Sequence, residues 1–331
     1  MKWMTVAPEE ALGNILCHNV ADAQGHKALH KGITITEQAV AQMQALGVTA
    51  VTVAALGPDD VHEDEAAQRL TRACMGDGVS VSVTSGGRVN LIAKHAGVVK
   101  LNRDALLAVN EMDGMTVATL RHDATVTASQ IVATVKIIPF AVPEAELQDA
   151  VRRGRESGGI VSVRPMPPTQ VGVILTGSES ARERVMQSFA PPIRARVEAL
   201  GSEVRDVIYV AQQSKAITSA IELLRVAGAG LIILAGETSI MDRDDVTPQS
   251  ITQAGGRIEH YGAPVEPGNL LLLAYIDPSP GSGRAVPVIG APGCVRSRDA
   301  NVVDLVLPRL LAGERLTRAD IVALAEGGLL L

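Results

Sequence analysis

After residue 165 the apolar positions follow two alternating patterns. Short runs of Val, Ile and Leu at residues 171–175, 204–210, 231–234, 270–276 and 286–289 read as buried strands. Between them, apolar residues three or four apart mark helices. Ile217, Ile221 and Leu224 place one face of a helix over 214–226. Residues 179–189 predict another, which Pro191 and Pro192 should break or kink before 193–200 resumes it, with Gly201 as its C-terminal cap. Thr247-Pro248 opens a short helix, with Thr as N-cap and Pro at the first helical position. Residues 297–311 predict the last helix, ended or bent at Pro308. Strands and helices alternating at this spacing predict an α/β domain over 166–331: a mostly parallel sheet, right-handed crossovers and helices on both faces.

The first half is less regular. Residues 36–46 predict a helix with Val40, Met43 and Leu46 on one face, and 51–53 a strand. Residues 62–74 predict a helix whose acidic first turn, Glu63-Asp64-Glu65, suits the helix dipole. From 79 to 140 the pattern turns to β, at 79–83, 98–101, 115–120 and 131–140, with a short helix at 103–110. Ser85-Gly86-Gly87-Arg88 suits a hairpin turn, with a second anion contact as the alternative. These elements predict a mixed α+β N-terminal domain, 1–165, with a β-rich subdomain at about 76–140. A Gly- and Pro-rich linker, 156–159 through 164–168, separates the halves.

Composition narrows the class. Of 331 residues, 47% are apolar but only 2% aromatic, so the core must be built from Val, Ile, Leu and Ala. A formal net charge of −6 argues against a nucleic-acid binder. No apolar run is long enough to cross a membrane, and residues 1–8 lack the apolar core of a signal peptide. Cys17, Cys74 and Cys294 lie far apart without a CxxC pair, which suits reduced thiols in a cytoplasmic protein. His26 and His30 sit in a basic turn that suits solvated side chains better than a metal site.

In an open parallel sheet, ligands bind beyond the carboxyl ends of the strands. That rule selects three loops. The first holds Thr176, Gly177, Ser178, Glu179 and Ser180; the second runs from Ala235 to Thr247; the third runs from Gly290 to Arg298. Gly177 and Gly293 allow close backbone approach, and Ser178 and Ser180 can donate at a helix start. Arg296 and Arg298 could fork onto a phosphate, or could simply be solvated. Asp242, Asp244 and Asp245 admit three readings: Mg²⁺ ligands, a group that positions or deprotonates substrate, or a helix cap with solvated neighbours.

These residues resemble a known family. Leu234-Ala-Gly-Glu-Thr-Ser239 followed by Arg243-Asp-Asp-Val-Thr-Pro248 is similar to the molybdopterin-binding domain of molybdenum cofactor biosynthesis, which carries a Gly-Gly-Thr-Gly or Gly-Gly-Thr-Ser loop and an Arg-Asp-Val-Thr-Pro element. Thr176-Gly-Ser-Glu179 resembles its Thr-Gly-Asp/Asn-Glu loop, and Ala291-Pro-Gly293 its Leu-Pro-Gly loop. Ala11-Leu-Gly13, His30 through Thr36, Ala45-Leu-Gly-Val48 and Val51-Thr-Val53 resemble the opening of molybdopterin molybdenumtransferases. The resemblance implies binding of molybdopterin or its adenylylated form by Thr176, Gly177, Ser178, Glu179, Gly236, Thr238, Ser239, Pro292, Gly293, Arg296 and Arg298. It implies Asp242 and Asp245 as catalytic groups, Asp245 as a Mg²⁺ or molybdate-linked carboxylate, metal insertion or transfer as the role, and a homo-oligomer. The chain departs from the pattern at Glu237, where the family has glycine, in a second loop one residue longer, and at Val210-Ala-Gln-Gln-Ser214, where the adenylyltransferase relatives carry an acidic turn. Glu237 and the missing acidic turn favour the alternative of a non-catalytic molybdopterin carrier or sensor. A nucleotide pyrophosphate hydrolase on the same fold is a further alternative.

Overall fold

The computed structural model describes residues 1–277, 283 and 285–330. The chain forms two compact units, Met1–Arg164 and Pro165–Leu331.

The first unit is built from small antiparallel sheets. One contains strands Met115–Thr119, Ile131–Ile137, Arg88–Ala93 and Val79–Val81 in that order. Leu91, Val135 and Ile137 from this sheet share a core with Leu70 of the helix Glu63–Cys74 and Leu147 of the helix Glu144–Glu156. That second helix buries only Leu147, Ala150, Val151 and Gly154, too few to mark it in the sequence pattern. The strand expected over 131–140 stops at Ile137, and Ala141–Pro143 pairs instead with Asp60–His62. Ser85 and Arg88 exchange backbone bonds across Gly86 and Gly87, which take φ of 55° and 65°. The hairpin reading is therefore the correct one at that turn. Lys2–Val6, Val51–Ala55 and Ile15–Leu16 form a separate sheet beside the helix Glu37–Ala45, which Thr36 caps through its hydroxyl.

The second unit carries a six-stranded sheet. Its elements are β1 (Gln170–Gly177), α1 (Arg182–Ala199), β2 (Glu203–Ala211), α2 (Ser214–Val226), β3 (Leu231–Gly236), α3 (Val246–Gln253), β4 (Gly256–Tyr261), β5 (Leu272–Ile276), β6 (Val286–Gly290), α4 (Val302–Leu311) and α5 (Arg318–Val322). The strand order is β2-β1-β3-β6-β5-β4. The first four run parallel; β5 and β4 are antiparallel to their neighbours. The sheet is thus mixed, with an antiparallel edge, and β4 forms without an apolar sequence pattern to mark it.

Alternate residues of the central strands feed two cores, as strand geometry requires. Val173, Leu175 and Ile233 pack with Val185, Phe189 and Ile193 of α1 and with Val303 and Val306 of α4. Ile174, Ile232 and Leu234 pack on the opposite face with Ile217 and Ile221 of α2 and Ile251 of α3.

Three helix boundaries differ from expectation. α1 runs through Pro191 and Pro192 as one helix. Val185, Phe189, Ile193 and Val197 recur every four residues along its buried face, and that packing offsets a proline penalty of about 3 kcal/mol each. α3 begins at Val246 with Asp245 at the N-cap position, two residues before the expected cap, Thr247. Pro248 then lies within the first turn, where its missing N–H costs no helical bond. α4 begins at Val302 rather than 297. Asn301 and Asp304 form a reciprocal capping box there, and a 3₁₀ turn, Gly293–Arg296, precedes it.

Candidate functional site

The parallel strands end together. Thr176 pairs with Gly236, Gly177 with Ala211, and Leu234 with Gly290, so the loops after β1, β3 and β6 leave from one sheet edge. α1, which follows β1, packs on one face, and α3, which follows β3, packs on the other. Chains that diverge to opposite faces leave a crevice between them, and β1/β3 is this sheet's switch point.

Small residues set the closeness of the first two loops. A Cβ on Gly236 would lie 2.1 Å from Thr176 Oγ1, and one on Gly177 would lie 2.6 Å from the Tyr209 hydroxyl. A side chain on Gly236 would press on the Thr176 main chain, and one on Gly177 would require the Tyr209 and Glu237 side chains to move. Thr176 and Gly177 are buried, whereas Ser178 and Glu179 emerge into solvent. Glu179 accepts from Arg182 Nε at 2.9 Å.

Glu237 reaches across to the first loop. Its Oε2 accepts from the Ser178 N–H and from the Ser178 hydroxyl, both at 3.0 Å. Its Oε1 accepts from Arg184 Nη2 at 2.6 Å. The Ser178 N–H, then its hydroxyl, and the Arg184 charge hold the Glu237 carboxyl below the usual carboxylate range. Glu237 also avoids the left-handed backbone region that a glycine-specific position would demand. The Tyr209 hydroxyl donates to the Ser178 carbonyl at 2.6 Å and carries the Arg182 guanidinium 4.8 Å above its ring. Gln212 donates from Nε2 to the Thr238 hydroxyl.

The aspartates knit the second loop together. Asp245 Oδ2 accepts from Met241 N at 2.5 Å and Asp242 N at 3.1 Å, and Asp242 Oδ1 accepts from Asp244 N at 2.8 Å. Asp245 therefore closes the loop before α3 rather than capping the helix through its side chain. Ile240 is buried and anchors the loop: a Cβ on Gly290 would come 2.6 Å from its Cδ1. Tyr261 donates to the Ile240 carbonyl at 2.9 Å. Among the described residues, no three His, Cys, Asp or Glu side chains gather as a metal site.

The third loop meets the second at Gly293, where a Cβ would lie 3.3 Å from Ser239 Oγ. Pro292 stands at the N-cap of the 3₁₀ turn. Arg296 and Arg298 are exposed on this loop, and no other side chain of the site is brought against them by a hydrogen bond or ion pair among the described residues. The structure therefore joins Thr176 to Gly236, Ser178 to Glu237 and Ser239 to Gly293, and leaves the two arginines projecting.

Three residues that shape this candidate site carry little local mark in the sequence. Arg184 and Tyr209 lie 53 and 31 residues from the partners they hold, Glu237 and Ser178. Arg196 supports the third loop from α1, donating to Val295 O at 3.0 Å, Asp299 O at 2.8 Å and Asp304 Oδ1 at 2.9 Å. The available signal was an arginine flanked by Ile193 and Val197, on the helix's apolar side.

Residues 172–312 match the family model described as "Probable molybdopterin binding domain". Most of the second unit thus matches this molybdopterin-binding domain model. Residues 5–55 match a second model, a domain of unknown function. A search of curated proteins found no match. Among solved structures, the chain is similar to a molybdenum cofactor biosynthesis protein from Pyrococcus furiosus at 13% identity and a TM-score of 0.25, covering 97% of this chain and 65% of that one. It is similar to the tungsten cofactor synthesizing protein MoaB from Pyrococcus furiosus at 18% identity and a TM-score of 0.31, over 44% of this chain and 92% of that one. It is also similar to the molybdopterin biosynthesis moeA protein from Pyrococcus horikoshii OT3 at 11% identity and a TM-score of 0.26, over 97% and 75% of the two chains. Among the described residues, no helix is long and apolar enough to cross a membrane.

Proposed function

We propose that the loop edge of the second unit binds molybdopterin, or its adenylylated form, and that the protein takes part in metal insertion or transfer during molybdenum cofactor biosynthesis. The observation that carries this reading is the convergence of the three family-type loops: Gly236 against Thr176, Glu237 against Ser178, and Gly293 beside Ser239. Thr238 and Ser239 supply hydroxyls at this edge, and exposed Arg296 and Arg298 supply forked donors for a phosphate.

The donor set for Mg²⁺ fits in part. Asp242 Oδ2 and Asp245 Oδ1 accept no bond from the protein among the described residues, while each carboxylate's other oxygen is held by loop N–H groups. One or two carboxylate oxygens completed by water and substrate oxygens is a set that Mg²⁺ accepts. The ion would neutralise phosphate charge there, and molybdate would arrive as substrate. The chain's own contribution is to fix the loop backbone and orient the two carboxylates.

A second reading, a non-catalytic molybdopterin carrier or sensor, is favoured by Glu237 and by Gln212. Gln212 stands in the turn after β2 where the resemblance leads one to expect a carboxylate, and it bonds Thr238. Turnover with molybdopterin, ATP and Mg²⁺, followed by molybdate, separates the two. Adenylylation or molybdenum insertion supports the enzyme. Saturable pterin binding with neither product supports the carrier, and no binding removes both.

A further inference from the structure

We infer that Glu237 is a built-in anion that occupies the phosphate-type donors of the first loop, so that a ligand phosphate is turned away from this loop and directed elsewhere along the edge, toward Arg296 and Arg298. The inference rests on reading this sheet edge as the ligand site, and deepens it by naming what Glu237 selects.

The Glu237 carboxylate takes three donors of different kinds: the Ser178 N–H, the Ser178 hydroxyl and the Arg184 guanidinium, at 3.0, 3.0 and 2.6 Å. A backbone N–H in the turn before a helix, a hydroxyl and a guanidinium are together the donors that bind a phosphate oxyanion. All three are engaged by the protein's own side chain. Gly177 makes the fit feasible, since a Cβ there would stand 3.1 Å from Glu237 Oε2 and 3.2 Å from Glu237 Cβ. Tyr209 pins the Ser178 main chain from the other side through its 2.6 Å bond. A phosphate entering this seat must displace Glu237. Until it does, it meets a like charge. The Glu237 side chain retains 28% of its exposure and the Arg184 side chain 63%, so the seat opens to solvent and exchange is feasible. Ligands that bring a neutral or cationic group to the first loop, and carry their phosphate elsewhere along the edge, face no such competitor.

Pyrophosphate and inorganic phosphate serve as probes, titrated by calorimetry at fixed ionic strength against the wild-type chain, Glu237→Gly and Glu237→Gln. Both variants should bind pyrophosphate more tightly than wild type, Glu237→Gly by at least about tenfold and Glu237→Gln by less. Adding Arg184→Ala to Glu237→Gly should abolish the gain. Glu237→Gln preserves the side chain's size and is judged at an unchanged melting temperature, so a misfolded glycine variant does not decide the matter. Equal affinity in wild type and Glu237→Gln would show that Glu237 is only a staple between the loops. Because molybdopterin is not used, this failure is separate from failure of the pterin reading.

Discussion

At the scale of single residues, the site depends on glycines whose missing side chains are filled by neighbours. Gly236 abuts Thr176 so closely that Gly236→Ala places a methyl 2.1 Å from Thr176 Oγ1 and 2.7 Å from Thr176 O. Overpacking against backbone typically costs 1–3 kcal/mol, so this variant should melt measurably lower in calorimetry and bind pterin more weakly. A melting temperature equal to wild type would mean that the β1 and β3 ends move apart freely. Asp245 serves the loop first. Asp245→Asn keeps one acceptor for Met241 N and Asp242 N. If Asp245 acts in turnover, the substitution should lower turnover at least about tenfold while pterin affinity shifts little. Equal loss of both would assign it to loop structure alone. In the first unit, the Arg69 guanidinium and then Gln148 draw the Glu144 carboxyl down to about 2 from 4.5. A carboxyl lowered on folding adds stability above its unfolded pKa, and that stability is lost as pH falls. Its contribution should fade between pH 4.5 and about 2. Melting curves across that window should show a shallower acid slope for Glu144→Gln than for wild type; identical slopes would contradict the pairing.

At the scale of elements, legibility followed burial. The runs at β1 and β3 are apolar at nearly every position because both faces of the sheet are covered, and the sequence pattern located them. β4 reads Gly-Arg-Ile-Glu-His-Tyr at a sheet edge with half-exposed side chains, so no period of two or run of apolar residues marked it. Glu144–Glu156 buries only Leu147, Ala150, Val151 and Gly154 among many charges, which hid its helical face. α1 shows packing outranking propensity, since two prolines sit inside a helix held by Phe189 and Ile193. Ile193→Ala should therefore cost about 2–5 kcal/mol by denaturant unfolding, more than an exposed-face change such as Glu183→Ala. Similar small losses at both positions would mean that the prolines had already released this helix from the sheet. The glycines and hydroxyls of the site were legible as strand-end turns. What the sequence hid was partnership: Glu237 finds Ser178 59 residues away, and nothing local to either residue marks the pair.

At the scale of the whole molecule, each unit has its own core. Val171 through Ile321 pack within the second unit, and Val61 through Val163 within the first. The family match lies inside the second unit, at residues 172–312, so the proposed pterin site belongs to that half. We propose that this half binds molybdopterin at the edge where β1, β3 and β6 end. Equilibrium dialysis of the full chain against molybdopterin tests it most directly, with retained pterin read as its fluorescent oxidised form after acid–iodine treatment. The wild-type chain should retain pterin saturably, and Gly236→Val, which forces a side chain against Thr176, should lose that retention while the unit stays folded. No retention above an unrelated protein, or retention untouched by that substitution, would contradict it.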